Sequence, residues 1–351
     1  MKKIIMIILF SVIMLSCDNA LMDVYNDRWE SYATSESGFT SATNVGDIAT
    51  LTVGDVSVNM VYGNNQTSIT FPTLENDSGT GTITRQFFMG QTEVTNEEFR
   101  KVLQWAYFKG KLSDYTGAHN EVNQRQASYG NQPLVYLEEA GKIRYSRGLF
   151  TVVQGFDRYP ANRVTWFGAI MFCNWLTEMR DGNTDNVVHT NIPSDGSNWD
   201  FLATGNQDSR SGYRLPLRKE WEYAARYRGN DSVNTVAGYA NPYFTKGYSA
   251  SGATGPITDE AATRLVAWYS GDPDMGTGNA IQPVMRKIPN TLGLYDMSGS
   301  LCEWLFEGGD NYTRYRGGGD WNNPIKPLTD GMWQSPSQSI YGTGFRIVRT
   351  K

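Results

Sequence analysis

The sequence predicts an α+β fold in which helices in the first two thirds of the chain give way to short strands in long loops. Three observations carry this reading. Thr95-Asn96-Glu97-Glu98 has the form of a helix capping box and precedes Phe99, Val102, Leu103 and Ala106 at helical spacing. After Thr165, the residues Trp166, Ala169, Ile170, Cys173, Leu176 and Met179 recur at i, i+3, i+4 and i+7 intervals, a second apolar stripe that must be buried. Beyond Arg228 helix signals nearly vanish, and Gly, Asn and aromatic residues dominate, the texture of short strands in long loops.

The bulk composition bounds the function. A chain of 351 residues suits one or two domains, and 40% hydrophobic with 19% charged residues allows a sizeable core. The net charge of −5 and the absence of a long basic run argue against nucleic acid as a partner. With only 2 His and 3 Cys, metal and nucleophile chemistry is tightly restricted.

Taken in chain order, Lys2 and Lys3 precede an almost unbroken apolar run from Ile4 to Leu15, the pattern of a signal peptide rather than of a membrane span. Met14-Leu15-Ser16-Cys17 resembles a bacterial lipobox. That resemblance implies removal of residues 1–16 and lipidation of Cys17, so the protein is expected to be exported and anchored by its N-terminal lipid to the cell envelope, at the outer membrane or cell surface. Ordinary cleavage leaving Cys17 unmodified is the alternative. Residues 17–81 read as a tether, loosest over Ser31–Thr50, with edge strands or a small accessory sheet within 47–61 and 67–71. The main domain is placed at 82–351. Within it Thr82–Met89 reads as a strand, 181–212 as a long polar loop and Arg218–Arg226 as a short helix. Cys173 on its stripe reads as a small buried hydrophobe and Cys302 as buried too, with a disulfide between them left open. His119 and His189 lie in polar stretches and are expected to be solvated.

Several segments then occur in a fixed order: Met89 to Phe99 (MGQTEVTNEEF), Tyr159-Pro160, Val164 to Ala169, Phe172 to Leu176, Tyr213-Arg214-Leu215-Pro216, Glu220 to Arg226, Asn290 to Ser300, Glu303-Trp304, Arg316-Gly317-Gly318-Gly319 with Trp321, and Gly344-Phe345-Arg346. Together they resemble the formylglycine-generating-enzyme (sulfatase-modifying-factor) family over residues 82–349. The resemblance implies a C-type-lectin-like fold with two main helices, small sheets and many long ordered loops.

The same resemblance speaks against catalysis. The family's oxidase binds copper through two Cys that follow an Arg-Gly-Gly-x-Trp element, and thiolate is the soft ligand that chemistry needs. Here Arg316 to Ser335 contains no Cys. The iron-dependent branch needs a His triad, and this chain has only His119 and His189. The protein is therefore expected not to be an enzyme and to hold neither copper nor iron. Asp296, Gly299, Leu301 and Glu303 match the family's second calcium site, which implies a structural calcium ion held by oxygen ligands; buried carboxylates satisfied by neighbouring backbone are the other reading. The family's usual Asn is Ser300 here.

A binding face is expected in the C-terminal segment, where Tyr312, Arg314, Asn322, Asn323, Ile325, Thr329, Asp330, Trp333 and Tyr341 interrupt a scaffold of Gly317, Gly318, Trp321 and Gly344-Phe345-Arg346. A solvated loop with no special role is the plain alternative. The Gly-Phe-Arg-Ile-Val-Arg ending on a lipoprotein of this fold also resembles the diversity-generating-retroelement variable proteins, including the treponeme type. The leading reading is a monomeric, surface-displayed binder of a protein or glycan ligand. A structural lipoprotein of the envelope or gliding machinery, or an enzyme of unrecognised chemistry, are the alternatives.

Overall fold

The computed structural model describes residues 34–112, 126–129, 132–137, 142–146, 148–190, 192, 204–205, 209–278, 280–308 and 313–351. Cys17, His119 and Tyr312 lie outside the described residues. Among those residues no helix is long and apolar enough to cross a membrane.

A six-stranded sheet organises the chain. It uses β1 (Thr34–Ser37), β2 (Ile48–Val53), β3 (Val56–Asn64), β4 (Phe87–Gly90), β5 (Tyr213–Arg214) and β10 (Val348–Thr350), in the order β1-β2-β3-β4-β10-β5. Every pairing is antiparallel. The alternation of side chains along each strand decides what each face covers. Met60, Tyr62, Phe88 and Ile347 enter the core that packs the two long helices, while Val61, Phe87, Met89 and Val348 enter a second core on the other face.

Those helices are α1 (Asn96–Phe108) and α2 (Trp166–Asp181). The capping box at the start of α1 is formed: Glu98 N–H donates to Thr95 Oγ1 at 3.3 Å, and Thr95 N–H donates to Glu98 Oε2 at 2.7 Å. Thr165 Oγ1 caps α2 by accepting from Gly168 N–H at 2.9 Å, and Gly182 ends it in the left-handed conformation. Residues Trp166 through Thr177 are all buried, so α2 is enclosed on every side rather than along one stripe. Gly168 makes this possible, because a Cβ there would lie 2.1 Å from the Leu134 carbonyl oxygen. The third helix, α3 (Arg218–Arg226), has the bounds expected from sequence.

Two expectations change. Thr82–Met89 is not one strand: Gly79–Ile83 pairs with Ile69–Thr73, and the chain leaves that hairpin before β4 begins at Phe87. Asn64 Nδ2 donates to Arg85 O at 2.8 Å and fixes the change of direction. Residues 34–64, expected to be a tether with accessory strands, supply three of the six strands in the main sheet. Ala49, Leu51, Val53, Val56, Val58 and Met60 pack in the same core as α1 and α2. Alternation with Thr, Ser and Asn diluted the apolar signal because over residues 48–60 only one face of these strands is buried.

A second sheet carries the C-terminal region. Its strands β6 (Cys302–Gly308), β7 (Arg314–Gly317), β8 (Gly331–Gln334) and β9 (Thr343–Gly344) run in the order β8-β7-β6-β9. The pairing of β6 with β9 is parallel and the others are antiparallel.

Candidate functional site

The segment from Gly318 to Gly342 is held by its own backbone. Trp321 N–H donates to Ser300 O at 2.9 Å and Leu328 N–H to Ser249 O at 2.8 Å. Pro336 O accepts from Trp166 N–H at 3.1 Å, and Gly342 N–H donates to Asn162 Oδ1 at 3.0 Å. Gly318, at φ +95°, supplies a conformation that favours Gly as the chain leaves β7. Trp321 and Leu328 are buried beneath the segment.

On this frame Asn322, Asn323, Trp333 and Tyr341 are exposed. Ile325, Thr329 and Asp330 are half-buried: Ile325 packs against a small core containing Ile257 and Val266, and Asp330 pairs with Lys326 at 3.5 Å. Arg314 departs from expectation. It is buried on a strand flanked on both sides, with its guanidinium 4.6 Å from the Trp166 ring, so it belongs to the frame. Sequence reasoning missed Met332, which is 49% exposed beside Trp333 at 47%, with Tyr341 at 44%. Its signal was available: a flexible, polarisable Met next to Trp in a short Gly-bounded strand. Trp333 meets Tyr315 edge-on at 5.0 Å, and Tyr341 meets Trp321 edge-on at 5.5 Å. Exposed rings are thus braced by buried ones.

The residues expected to hold calcium occupy a buried charged cluster. Asp296 and Ser300 adopt positive φ, and a Cβ on Gly299 would lie 1.9 Å from Trp268 O, so this tight turn requires Gly at that place. Glu303 is gripped by Arg346: Nε lies 2.7 Å from Oε2 and Nη2 2.7 Å from Oε1. Trp221 Nε1–H also donates to Glu303 Oε2 at 2.8 Å. Asp296 accepts from Met285 N–H at 3.1 Å through Oδ2, while its buried Oδ1 has no partner. A third carboxylate, Glu93, accepts from Leu301 N–H at 2.9 Å and from Ser300 Oγ–H at 3.1 Å. Burial pushes the Asp296 carboxyl up to about 6. Burial, then the Asp296 and Glu303 charges, hold Glu93 well above the usual carboxylate range.

The unpartnered oxygen of Asp296 suits a cation, while both Glu303 oxygens are engaged by the Arg346 guanidinium. Arg346 thus gives Glu303 a tie that needs no ion. Thermal melting that coincides in calcium and in chelator would assign the tying-down to Arg346 alone. A calcium-dependent rise that disappears in Asp296→Ala would restore the ion.

His189 also departs from expectation. It is buried, stacks on Phe306 at 5.2 Å, and its Nε2 accepts from Leu215 N–H at 3.2 Å. Burial lowers its pKa to about 3, so it is a neutral acceptor. Pairing of His189 with Gly205, in a short two-stranded ribbon, turned what read as a polar loop inward. Cys173 and Cys302 are both buried and free, and burial raises both thiol pKa values, Cys302 to about 12. Neither has the depressed pKa of a nucleophile or soft-metal ligand.

Residues 41–351 match the model of the sulfatase-modifying factor enzyme 1-like domain. The chain is similar to "Chaperone protein LppX" of Paenibacillus barcinonensis, with 29% identity over 220 residues that cover 56% of this chain and 71% of that protein. It is also similar to the serine/threonine-protein kinase pkn1 of Chlamydia pneumoniae, at 22% identity over 63% of this chain, a match that spans only 23% of the kinase. Among solved structures, Treponema denticola variable protein 1 superimposes with a TM-score of 0.52 at 22% identity, covering 86% of this chain and 98% of that one. PvdO from Pseudomonas aeruginosa gives 0.51 at 18% identity, covering 88% and 100%. At these identities the structural likeness establishes the fold, which is the C-type-lectin-like fold expected from sequence.

Proposed function

Because the chain belongs to the sulfatase-modifying factor enzyme 1-like family yet has no Cys between Glu303 and Lys351, we propose that it is a non-catalytic binder displayed on the cell envelope, with its ligand face on the C-terminal segment. The observation that carries this reading is the group Met332, Trp333 and Tyr341, large side chains exposed on a segment that hydrogen bonds hold rigid. Rigid aromatic anchors lose little conformational entropy on binding. Lipidation at Cys17 would tether the domain to a membrane surface. One relative is named a chaperone protein, which favours a protein ligand over a glycan. In the finer reading of a retroelement-diversified face, the exposed positions vary and the frame does not; whether a template repeat lies beside the gene decides it.

The test uses the intact protein against a glycan array and a displayed peptide library. Any ligand recovered should lose at least tenfold in affinity to Trp333→Ala or Tyr341→Ala, with melting unchanged. A ligand insensitive to both, and weakened instead by changes around α1 such as Lys101→Ala, would move the site elsewhere.

A further inference from the structure

We propose that β8 is a docking edge on which an extended segment of a protein partner adds as a fifth strand. The proposal rests on the C-terminal face being the ligand face and names the kind of partner that face takes.

The argument starts from register. Strands β7 and β8 pair Arg314 with Gln334, Tyr315 with Trp333, Arg316 with Met332 and Gly317 with Gly331. Gly318 N–H donates to Asp330 O at 3.4 Å, continuing the same register by one step. In an antiparallel ladder, hydrogen-bonded and non-bonded pairs alternate. A bonded Gly318–Asp330 pair therefore makes Arg316–Met332 and Arg314–Gln334 bonded pairs. Gly317–Gly331 and Tyr315–Trp333 are then non-bonded. The N–H and C=O groups of Gly331 and Trp333 consequently point away from β7, and among the described residues none of the four has a hydrogen-bond partner on that side. The 5.0 Å approach of the Tyr315 and Trp333 rings agrees, since side chains come closest in non-bonded pairs.

Among the described residues this edge is also unguarded. Edge strands are commonly blunted by Pro, Lys or a covering loop. Gly331-Met332-Trp333-Gln334 contains neither Pro nor a charge, and Met332 and Trp333, adjacent residues that project to opposite faces, are both about half exposed. A row of donors and acceptors repeating every second residue is matched by another strand, whose backbone carries the same repeat. The occupant's side chains would alternate between Trp333 with Tyr315 on one face and Met332 with Arg316 on the other, where Arg316 Nη2 lies 3.4 Å from Met332 Sδ. Trp333, one of the exposed aromatic side chains of the proposed ligand face, stands on this edge strand.

The probe is a phage-displayed random dodecapeptide library panned on the intact protein, with the strongest binder resynthesised. Binding is measured to the wild type, Trp333→Ala and Trp333→Pro, and with the peptide N-methylated at each amide in turn. Proline deletes an N–H that β7 does not use, so the existing ladder is retained. Trp333→Pro is expected to bind at least tenfold more weakly than Trp333→Ala. N-methylation should be harmful at alternate positions only, and the amides of Gly331 and Trp333 should gain protection from hydrogen exchange. If Trp333→Pro does not fold, the N-methyl series and the exchange data decide. Equal binding to the Pro and Ala variants without alternation overturns the edge, while loss of binding in Trp333→Ala would still leave the face reading intact. Failure to enrich any peptide, or a concentration-dependent dimer abolished by Trp333→Pro, equally overturns the assignment to a partner peptide.

Discussion

Replacing Arg346 with Met is expected to destabilise the protein by on the order of 3–5 kcal/mol, the range seen when one partner of a buried ion pair is removed. The guanidinium is fully buried and does more than neutralise Glu303. Nη1 donates to Gly90 O at 3.1 Å on β4, and Nη2 to Tyr295 O at 2.8 Å in the turn that leads to Asp296. One side chain thus links the chain between β9 and β10 to β4, β6 and the 295–300 turn. Without it, Glu93, Asp296 and Glu303 would share one buried site with no guanidinium between them. Arg346→Lys should recover part of the loss, because an ammonium keeps the charge but cannot reproduce the planar fork. Denaturant unfolding at several pH values checks this. Asp296 has a folded pKa raised from 3.8 to about 6. A carboxyl raised in this way contributes its full stability below its unfolded pKa and loses that stability as pH rises through the folded one. Loss of Arg346 raises the cluster's affinity for protons further, so the deficit of Arg346→Met should be largest near pH 8 and shrink toward pH 5. A deficit below about 1 kcal/mol, the scale of a surface pair, or one that does not vary with pH, would mean that the cluster is not coupled as described.

The parts of this molecule that could be read from sequence are those whose signals are local. The box at Thr95–Glu98 and the cap at Thr165 need only residues three positions apart, and α1 and α2 begin where those residues place them. Trp321 read as an anchor because a large indole among Gly residues is costly to leave in water. What escaped reading was decided by partners distant in sequence. The 34–64 hairpin reads as polar spacer until β4 is known to cover its edge. Arg314 looks like a loop cation until β6 and β8 enclose it. The family resemblance implies Glu303 as a calcium ligand, and nothing local announces the partner the structure gives it, Arg346, which lies 43 residues further on. His189 is buried by Phe306 and Leu215, neither of which its neighbours foretell.

Trp321→Ala is expected to cost about 3–5 kcal/mol, the usual range for truncating a large buried aromatic. The indole packs with Trp268, Met275, Ile281 and Leu301, which join the 268–281 loops to β6 and the turn before it. Those neighbours are fixed by their own backbone bonds, such as Ser300 N–H to Trp268 O at 3.1 Å, so the cavity left by the indole cannot readily collapse. The contrast with its surroundings makes the experiment discriminating. Asn322→Ala, Trp333→Ala and Tyr341→Ala remove exposed groups and should each change stability by less than about 0.5 kcal/mol. Ile325→Ala and Thr329→Ala should fall between, since both side chains are half-buried against the 247–266 region. Tyr341 is the sharpest comparison, because its ring touches Trp321 yet nearly half of it faces solvent. If Tyr341→Ala proved as damaging as Trp321→Ala, the exposed ring would be part of the core and unavailable to a ligand. If instead Trp321→Ala were tolerated, the segment would not be held from beneath, and a rigid binding face would have no physical basis.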